Sequence, residues 1–335
     1  MLVFATAQAA LGQPVQRIVD QTPTIFDPHS TPGNLIYSLS MFVLEITGAI
    51  FLVVGGLWLY VVVRFRQHPS DDTSEPPQVY GSTQIELAWT VIPILLIVVL
   101  FLTTARILFA IQDAPMPRGT LNVDAVGHQY WWEFRYPEYG FVTANELHIP
   151  VSSSKAPNTT HLNLLSADVT HSFWVPALFG KIDLVPNKEN SMWFDPDRTG
   201  VYVGQCAQFC GTAHAKMLLR VYVETPEDFA AWVKSEQQSA VQDPAVVAGR
   251  QVFESQSCVS CHTIRGTAAK GVFGPDLTHM MSRDTIASGA ALNTPAELKS
   301  WIRDPQIAKP GCLMPAMQLS EPQIDQLVAY LTTLK

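Results

Sequence analysis

Two long apolar runs near the start of the chain constrain its fold more than any other feature. Residues 46–63 form the first run, which carries no charge, and residues 87–111 form the second, in which Arg106 is the single charge. A helix needs about 20 residues to cross the hydrocarbon core of a bilayer. Either run alone could be the core helix of a soluble protein. Two in close succession predict a transmembrane hairpin over residues 31–112, with spans at about residues 36–63 and 87–111.

The residues that flank these runs predict the orientation of the chain across the membrane. Arg64 and Arg66 begin the loop between the runs, and arginines beside a span favour a cytoplasmic loop. We therefore predict a protein of the bacterial inner membrane with both termini, and everything after residue 111, on the periplasmic side. Ala7-Gln8-Ala9 resembles a signal cleavage site, so residues 1–30 are expected to be the remnant of a signal peptide or a short disordered leader.

The charge of the chain narrows the class of partner. The net charge is −8, and residues 113–244 hold 15 of the 29 acidic residues but only 9 of the 21 basic ones. An acidic excess argues against a nucleic-acid partner and suits the docking of a basic protein. A solvated acidic surface that keeps the protein soluble would give the same pattern.

A β-rich stretch follows the second apolar run. From residue 120 to residue 224, short runs of β-branched and aromatic residues are separated by prolines, which predicts a β-sandwich or Greek-key barrel. Examples of the predicted strands are Leu121–Val126, Tyr130–Tyr136, Thr160–Ser166, Ser191–Phe194, Val201–Val203 and Met217–Val223.

Soft potential metal ligands cluster near the end of this stretch. Cys206, Cys210, His214 and Met217 lie within twelve residues, and His171 stands upstream. Thiolate, imidazole and thioether together favour copper. Two thiolates can bridge two copper ions, each with one histidine, with Met217 as a weak ligand to one ion and a backbone carbonyl as a weak ligand to the other. A disulfide and a Cys2His2 zinc site are the alternatives, but neither explains Met217.

A second motif lies about fifty residues downstream. Cys258-Val259-Ser260-Cys261-His262 is the attachment pattern of a c-type haem, in which the cysteines form thioethers and the histidine is the proximal iron ligand. A thioredoxin-like pair and half of a zinc ribbon are the alternatives, and no βαβ pattern or second Cys-x-x-Cys supports them. Met314 and Met317 both qualify as the distal ligand, and the resemblance of Lys309–Ala316 to the Met-Pro-Ala segment of class I cytochrome c favours Met314, with Met317 as the alternative. Both precede a predicted final helix with Ser320 as its N-cap.

Several strings resemble the copper-binding (CuA) subunit II of cytochrome c oxidase, and the last ninety residues resemble class I cytochrome c. The strings are Gly204–Met217, Ser166–Pro176, Lys181–Pro186 and, before the second span, Gln84–Thr90. The resemblance implies a multidomain membrane protein. Its parts are the two-helix transmembrane hairpin, a cupredoxin-like β-sandwich domain, a linker and an all-α class I cytochrome c domain, at residues 31–112, 113–235, 236–244 and 245–335.

The resemblance also implies roles for individual residues. The CuA ligands would be His171, Cys206, Cys210, His214, Met217 and the backbone carbonyl of Gln208. Asp168 and Asp183 would lie at the interface with subunit I, Glu86 at the mouth of its proton channel, and Tyr130, Trp131 and Trp132 on the electron path. Glu86 could equally be an exposed cap, and the aromatic residues could be core.

Two departures from the family pattern matter. Gln208 stands where the family usually has a glutamate that also binds magnesium against subunit I, so a magnesium ion there is in doubt. Tyr130 stands where the family usually has the tryptophan through which electrons enter from soluble cytochrome c. A donor tethered on the same chain would make that tryptophan dispensable.

The implied function is that of the electron-entry subunit of a cytochrome c oxidase. An external donor such as a soluble cytochrome c would supply electrons through haem c and CuA to subunit I, which reduces oxygen and pumps protons. Subunit III is the other expected partner in the complex. We expect no catalytic residue in this chain, because its histidines form no intramembrane cluster. The alternatives are the CuA subunit of a nitric oxide reductase-like enzyme and a membrane-tethered electron carrier. Nitrous oxide reductase and quinol oxidase subunit II do not match the motifs.

Overall fold

The computed structural model describes residues 23–66, 75, 78–112, 120–153 and 157–335. Residues 1–22, which make up most of the expected leader, and part of the loop between the apolar runs lie outside the described residues. The chain divides into two compact units. One is Asn34–Ala114, and the other joins the segment that ends at Gly33 to Pro115–Lys335.

The first unit is made of two long helices, α1 (Thr31–Arg64) and α2 (Thr83–Gln112). They begin five and four residues before the predicted spans, and each ends one residue after its span. At 1.5 Å per residue they are roughly 51 and 45 Å long, which exceeds the hydrocarbon thickness of about 30 Å. No residue is buried in the most apolar 18-residue window of either helix. Within the described residues neither helix is buried in a protein core, and their apolar side chains form large exposed surfaces of the kind that contact lipid or another protein.

In the second unit, the described residues between 120 and 224 form a β-sandwich of ten strands. They are β1 (Leu121–His128), β2 (Trp131–Tyr136), β3 (Phe141–Ala144), β4 (Glu146–Pro150), β5 (Thr160–Ser166), β6 (His171–Trp174), β7 (Ile182–Leu184), β8 (Asn190–Phe194), β9 (Gly200–Cys206) and β10 (Leu218–Glu224). One sheet has the order β3-β2-β1-β5-β8 and the other the order β4-β10-β9-β6-β7. Neighbours are antiparallel except for the parallel pairs β1–β5 and β4–β10.

The predicted sandwich is confirmed, although four of its strands were not among those that we named from the sequence. These are β3, β4, β6 and β7, which are only three to five residues long. So short a strand contains too few residues to show the alternation from which strands are predicted. The omission matters because β6 begins with His171 and β4 begins with Glu146.

Aromatic side chains fill the space between the two sheets. Trp132 and Phe134 of β2 and Phe173 of β6 are fully buried. The ring of Phe173 meets those of Trp132 and Phe134 edge-on, with centroids 5.4 and 6.4 Å away. Burial of one such side chain contributes roughly 1.5–3 kcal/mol. This packing fixes β6 against β2 and therefore fixes the position of His171.

A helical domain follows the sandwich. Helix α3 (Pro226–Glu236) packs on the sandwich through Trp232, which stacks on His148 at 4.2 Å between ring centroids. The remaining helices are α4 (Val247–Ser255), α5 (Cys258–Cys261), α6 (Pro295–Arg303), α7 (Pro305–Ala308) and α8 (Glu321–Leu331). A short ribbon of β11 (Thr285–Ile286) and β12 (Ala291–Leu292), which was not predicted, is added to them.

The core of the helical domain lies between α4, α6 and α8. Phe253, Ile302, Ile324 and Leu327 are among its buried residues. Helix α8 begins where the cap was predicted, because the side chain of Gln323 accepts a hydrogen bond from the backbone N–H of Ser320 at 3.0 Å. That bond satisfies a donor that the helix itself leaves unpaired.

The segment that we expected to be a linker is bound to its surroundings. The side chain of Gln237 donates to the carbonyl of Tyr139 in the sandwich at 3.0 Å. The carbonyl of Gln238 lies 3.0 Å from Nε2 of His279 in the helical domain, and the N–H of Ala240 donates to the carbonyl of Arg265 at 3.0 Å. These contacts attach the segment to both domains.

Candidate functional site

The soft ligands predicted from the sequence meet at one end of the sandwich. His171 is the first residue of β6 and Cys206 the last residue of β9. These strands pair, with Phe173 opposite Cys206. The loop from Cys206 to Met217 is closed by a hydrogen bond from the N–H of Cys206 to the carbonyl of Met217 at 2.9 Å. Strand pairing and loop closure therefore bring together ligands that are 46 residues apart in the chain.

All six potential ligand atoms lie in one cluster. The Sγ atom of Cys206 lies 3.9 Å from Sγ of Cys210, 3.9 Å from Nδ1 of His171 and 3.2 Å from the carbonyl oxygen of Gln208. The Sγ atom of Cys210 lies 3.6 Å from Nδ1 of His214 and 3.9 Å from Sδ of Met217. Both cysteines are free and buried, so the disulfide alternative does not describe this arrangement. Two thiols, two imidazoles, a thioether and a carbonyl fit a copper pair by their donor chemistry.

Asp168 orients one of the imidazoles. Its Oδ1 lies 2.8 Å from Nε2 of His171, which leaves Nδ1 facing the sulfur of Cys206. Burial alone would raise the pKa of Asp168, but hydrogen bonds from His171 and from the backbone N–H groups of Gln129 and Val169 lower it. The carboxylate therefore stays ionised and holds the ring, as outer partners of metal-binding histidines do.

The two thiols behave as one unit. The hydrogen bond between them lowers the pKa of Cys206 and raises that of Cys210. Cys206 is therefore the thiol of this pair that ionises more readily, and the two titrate as a pair. A thiolate is the form that binds metal.

Gly127 makes room for the histidine, and no role was predicted for it. A Cβ atom at this position would lie 2.8 Å from Cδ2 of His171. Any other residue at position 127 would displace the ring of His171 from the cluster. A glycine inside a predicted strand is the sequence signal that marks such a close approach.

The aromatic residues Tyr130, Trp131 and Trp132 lie beside the same cluster. Trp132 is fully buried, with its ring 6.2 Å from that of His171, and Trp131 stacks on His128 at 4.3 Å. The hydroxyl of Tyr130 accepts a hydrogen bond from the N–H of Thr212 at 3.1 Å. Thr212 lies in the loop between Cys210 and His214, so Tyr130 contacts the loop that carries the ligands.

The haem motif lies at the edge of an apolar cavity. Cys258, Cys261 and His262 line it, with Leu298 and Trp301 among its apolar residues. The motif forms a single helical turn, α5, followed by His262 in an extended conformation. Two free thiols, a histidine and an apolar cavity fit a c-type haem.

His262 has the orientation that an iron ligand requires. Its Nδ1 lies 2.8 Å from the carbonyl oxygen of Pro275. A carbonyl only accepts hydrogen bonds, so Nδ1 carries the proton and Nε2 keeps its lone pair. Burial lowers the pKa of His262, which also favours the neutral ring. A Cβ atom on Gly274 would lie 2.6 Å from Cε1 of His262, so the ring needs a glycine there.

Residues from both domains close this cavity. Met314 and Met317 both line it, so the cavity lining does not distinguish between them as distal ligands. Gln129, Tyr130, Trp131 and Asn145 of the sandwich line it as well. Tyr130 therefore contacts the haem cavity and the copper loop at once, a juxtaposition that the sequence motifs alone did not predict.

The other predicted residues lie outside these two sites. Glu86 is exposed in the first turn of α2. Asp183 is exposed on β7, where it pairs in register with Ser172, the residue after His171. The side chain of Gln208 is exposed, and only its carbonyl faces the cluster.

Three protein families match consecutive parts of the chain. The transmembrane domain of cytochrome c oxidase subunit II matches residues 24–107, the periplasmic domain of the same subunit matches residues 143–224, and cytochrome c matches residues 246–335. These families imply a CuA copper centre and a haem, and they imply subunit I of a haem–copper oxidase as the partner.

Whole proteins match as well. Cytochrome c oxidase subunit 2 of Alkalihalophilus pseudofirmus is 37% identical over 94% of this chain and 92% of its own length. The subunit 2 of Bacillus sp. strain PS3 is 36% identical over 92% of this chain and 90% of its own length. Among solved structures, the periplasmic domain of cytochrome oxidase subunit II of Bradyrhizobium japonicum is 30% identical, covering 37% of this chain and 97% of that one, with a TM-score of 0.34. The chain thus belongs to the cytochrome c oxidase subunit 2 family, as a membrane protein with two spans and a fused cytochrome c domain.

Proposed function

We propose that this chain is the electron-entry subunit of its oxidase, carrying electrons from an external donor to haem c, then to CuA, and on to subunit I for oxygen reduction coupled to proton pumping. The observation that carries the proposal is the position of Tyr130. This residue lines the cavity beside the haem motif and bonds to the copper loop through Thr212. A chain that holds both sites so close together is suited to one-electron transfer between them.

We assign the copper ligands as predicted from the sequence: His171, Cys206, Cys210, His214, Met217 and the carbonyl of Gln208. A copper pair held by these residues would supply a one-electron acceptor. The chain contributes the orientation of its ligands through Asp168 and the space for His171 through Gly127. Zinc would need only four of these six atoms, and the convergence of the Met217 sulfur on Cys210 favours copper.

We assign Cys258 and Cys261 as the thioether anchors and His262 as the proximal ligand. Met314 is the distal ligand in this proposal, and Met317 packs beside it. A methionine–histidine pair raises the potential of the haem, which suits a donor to copper. Trp131 and Trp132 extend the apolar path beside Tyr130.

The remaining assignments follow the family. The β-sandwich (residues 113–235) and the cytochrome domain (residues 245–335) would lie on the periplasmic side, where a soluble cytochrome c could dock. Glu86 would lie at the cytoplasmic entrance of a proton channel, and Asp168 and Asp183 would face subunit I, with subunit III in the same complex. Gln208 leaves a magnesium site doubtful, because an amide binds a hard cation more weakly than a carboxylate.

Replacement of one bridging cysteine tests the proposal. Cys210→Ser in the intact complex should abolish the near-infrared absorption of CuA and leave the α-band of haem c unchanged. Cys312→Ser replaces a free cysteine outside the copper cluster and should keep the near-infrared absorption. A Cys210→Ser protein that retains both absorptions would contradict the copper assignment.

A further inference from the structure

Two charged side chains of the sandwich are buried where it meets the helical domain. Glu146 begins β4 and Arg220 lies opposite it in β10. Their exposed fractions are 2% and 3%, and neither belongs to the copper or haem ligands. Charged residues are almost never fully buried unless they are paired, so this cluster needs an explanation.

The partners of Glu146 come from the helical domain. Its Oε1 accepts hydrogen bonds from the backbone N–H groups of Asp284 and Thr285 at 3.0 and 3.1 Å, and from the hydroxyl of Thr285 at 3.2 Å. Arg220 donates to the same hydroxyl oxygen at 3.1 Å. Two charges of one domain thus converge on the start of the β11–β12 ribbon of the other.

The contact continues along the ribbon toward both redox sites. Tyr222 donates to the carboxylate of Asp284 at 2.6 Å. At the ribbon tip, the N–H of Leu218 donates to the carbonyl of Ser288 at 3.1 Å, and the hydroxyl of Ser288 donates to the carbonyl of Leu218 at 2.9 Å. Leu218 directly follows the copper ligand Met217, and Thr285 and Ser288 line the haem cavity.

We propose that these contacts form an interdomain clamp, made by Glu146, Leu218, Arg220 and Tyr222 with Asp284, Thr285 and Ser288, which fixes the haem cavity against the copper loop. Glu146 and Arg220 are then positioning residues for electron transfer between the two domains. This inference rests on the proposed function, because it presumes a haem in the cavity and copper in the cluster.

The energetics of the cluster favour a positioning role. Removing charged side chains from water is unfavourable unless their hydrogen-bonding groups find partners, and the partners of Glu146 Oε1 and Arg220 Nη1 in this cluster come from the docked domain. A tether alone would hold the domains at an effective concentration in the millimolar range without setting their orientation. The rate of electron transfer falls steeply with distance. A fixed orientation of the two domains would keep the haem and the copper cluster at a constant distance from each other.

The test uses the intact complex with variants on both sides of the clamp. Glu146→Ala removes the acceptor of three hydrogen bonds, and Thr285→Val removes the shared hydroxyl with little change in shape. Glu146→Gln keeps one carbonyl acceptor as the conservative variant. Glu227→Ala removes an exposed carboxylate of α3 as the matched control.

Two quantities are measured in each variant: hydrogen exchange at the amides of Asp284 and Thr285, and the rate of electron transfer from haem c to copper after flash reduction. Glu146→Ala and Thr285→Val should speed exchange by about tenfold or more, since loss of one partner of a buried charge costs more than the roughly 1.4 kcal/mol that tenfold represents. Both should slow electron transfer and make it depend on solvent viscosity. Glu146→Gln should leave amide exchange and the rate of electron transfer close to those of the unaltered protein. Glu227→Ala should change neither quantity.

The outcomes separate the clamp from the proposed function. If Glu146→Ala and Thr285→Val contain both cofactors and transfer electrons at the original rate, the clamp is not a positioning device, whatever happens to exchange. If Glu146→Ala fails to fold, Thr285→Val alone decides. Absence of the copper or haem absorption from the unaltered protein would instead contradict the proposed function.

Discussion

The copper cluster and the haem cavity are built in opposite ways. The copper ligands converge from two paired strands and one hydrogen-bonded loop, with their six atoms already within reach of one another. The haem residues instead line an apolar cavity whose wall comes from both domains. The backbone alone brings the residues of the first site together, whereas a bound haem would complete the core around the second.

This difference indicates how much each cofactor would contribute to the stability of its own domain. The sandwich has a core of its own around Trp132, Phe134 and Phe173, and copper would add to a structure that is already packed. The helical domain has a smaller core, and small domains bury too little apolar surface to be very stable alone. Haem should therefore contribute far more to the folding of its domain than copper does.

Loss of the cofactors should separate the two regions most clearly. Cys258→Ala with Cys261→Ala should leave the helical domain without a cooperative unfolding transition. The double substitution removes the thioether anchors of the haem. Loss of the haem would remove apolar contacts worth several kcal/mol, out of a total stability of about 5–15 kcal/mol. Cys206→Ser with Cys210→Ser should leave the sandwich cooperatively folded. Hydrogen exchange of peptides from residues 246–335 and 143–224 measures each region, and equal loss of protection in both would refute the contrast.

The distal methionine is the next test. Met314→Leu should remove the methionine–iron charge-transfer band completely and lower the haem potential, because a methionine ligand raises it. Met317→Leu should keep the band, with a loss of stability below about 1.5 kcal/mol for a volume-conserving change. The opposite result would assign the iron to Met317, and loss in both variants would mean that the two side chains position each other.

The pH dependence of the clamp should be the smallest effect. Burial raises the pKa of Glu146 from 4.5 to about 7. Separated domains would release this proton near pH 4.5, whereas the docked form keeps it until about pH 7, so docking is strongest at low pH and weakens as pH rises between these values. The groups that face Glu146 are His148, Arg220, Tyr222, Arg283 and Asp284.

From pH 6 to pH 8 the docking equilibrium should fall on the order of tenfold. Exchange at the amides of Asp284 and Thr285 should rise with pH by more than the intrinsic base-catalysed rate of a free peptide. Glu146→Gln, which carries no titrating group at this position, should show only the intrinsic dependence. An identical pH profile in both proteins would remove Glu146 as the titrating group.

Local chemistry made the two redox sites predictable from the sequence. Five of the six proposed copper ligand atoms belong to the string from Cys206 to Met217, and the three proposed haem residues fall within five consecutive positions. Metal and haem ligation require particular residue types at particular spacings, so such strings carry their function in themselves. The long apolar runs predict helices for the same reason, since length and composition suffice.

Contacts between distant segments were not predictable. Nothing near Glu146 or Thr285 in the sequence signals that they meet, 139 positions apart. The segment with Gln237 and Gln238 has the composition of a flexible linker, yet tertiary hydrogen bonds attach it to both domains. Met314 and Met317 both satisfy the pattern for a distal ligand, because the spacing of a loop residue does not determine where its side chain points.

The shared wall of the haem cavity affects how the protein can be divided. Tyr130 and Trp131 have exposed fractions of 8% and 9% in the intact chain, and residues of the helical domain line the same cavity. A sandwich expressed alone would present both rings to water as a new apolar patch, and such patches promote aggregation. A truncation after residue 235 should therefore give a less soluble product unless these two rings are replaced by polar side chains.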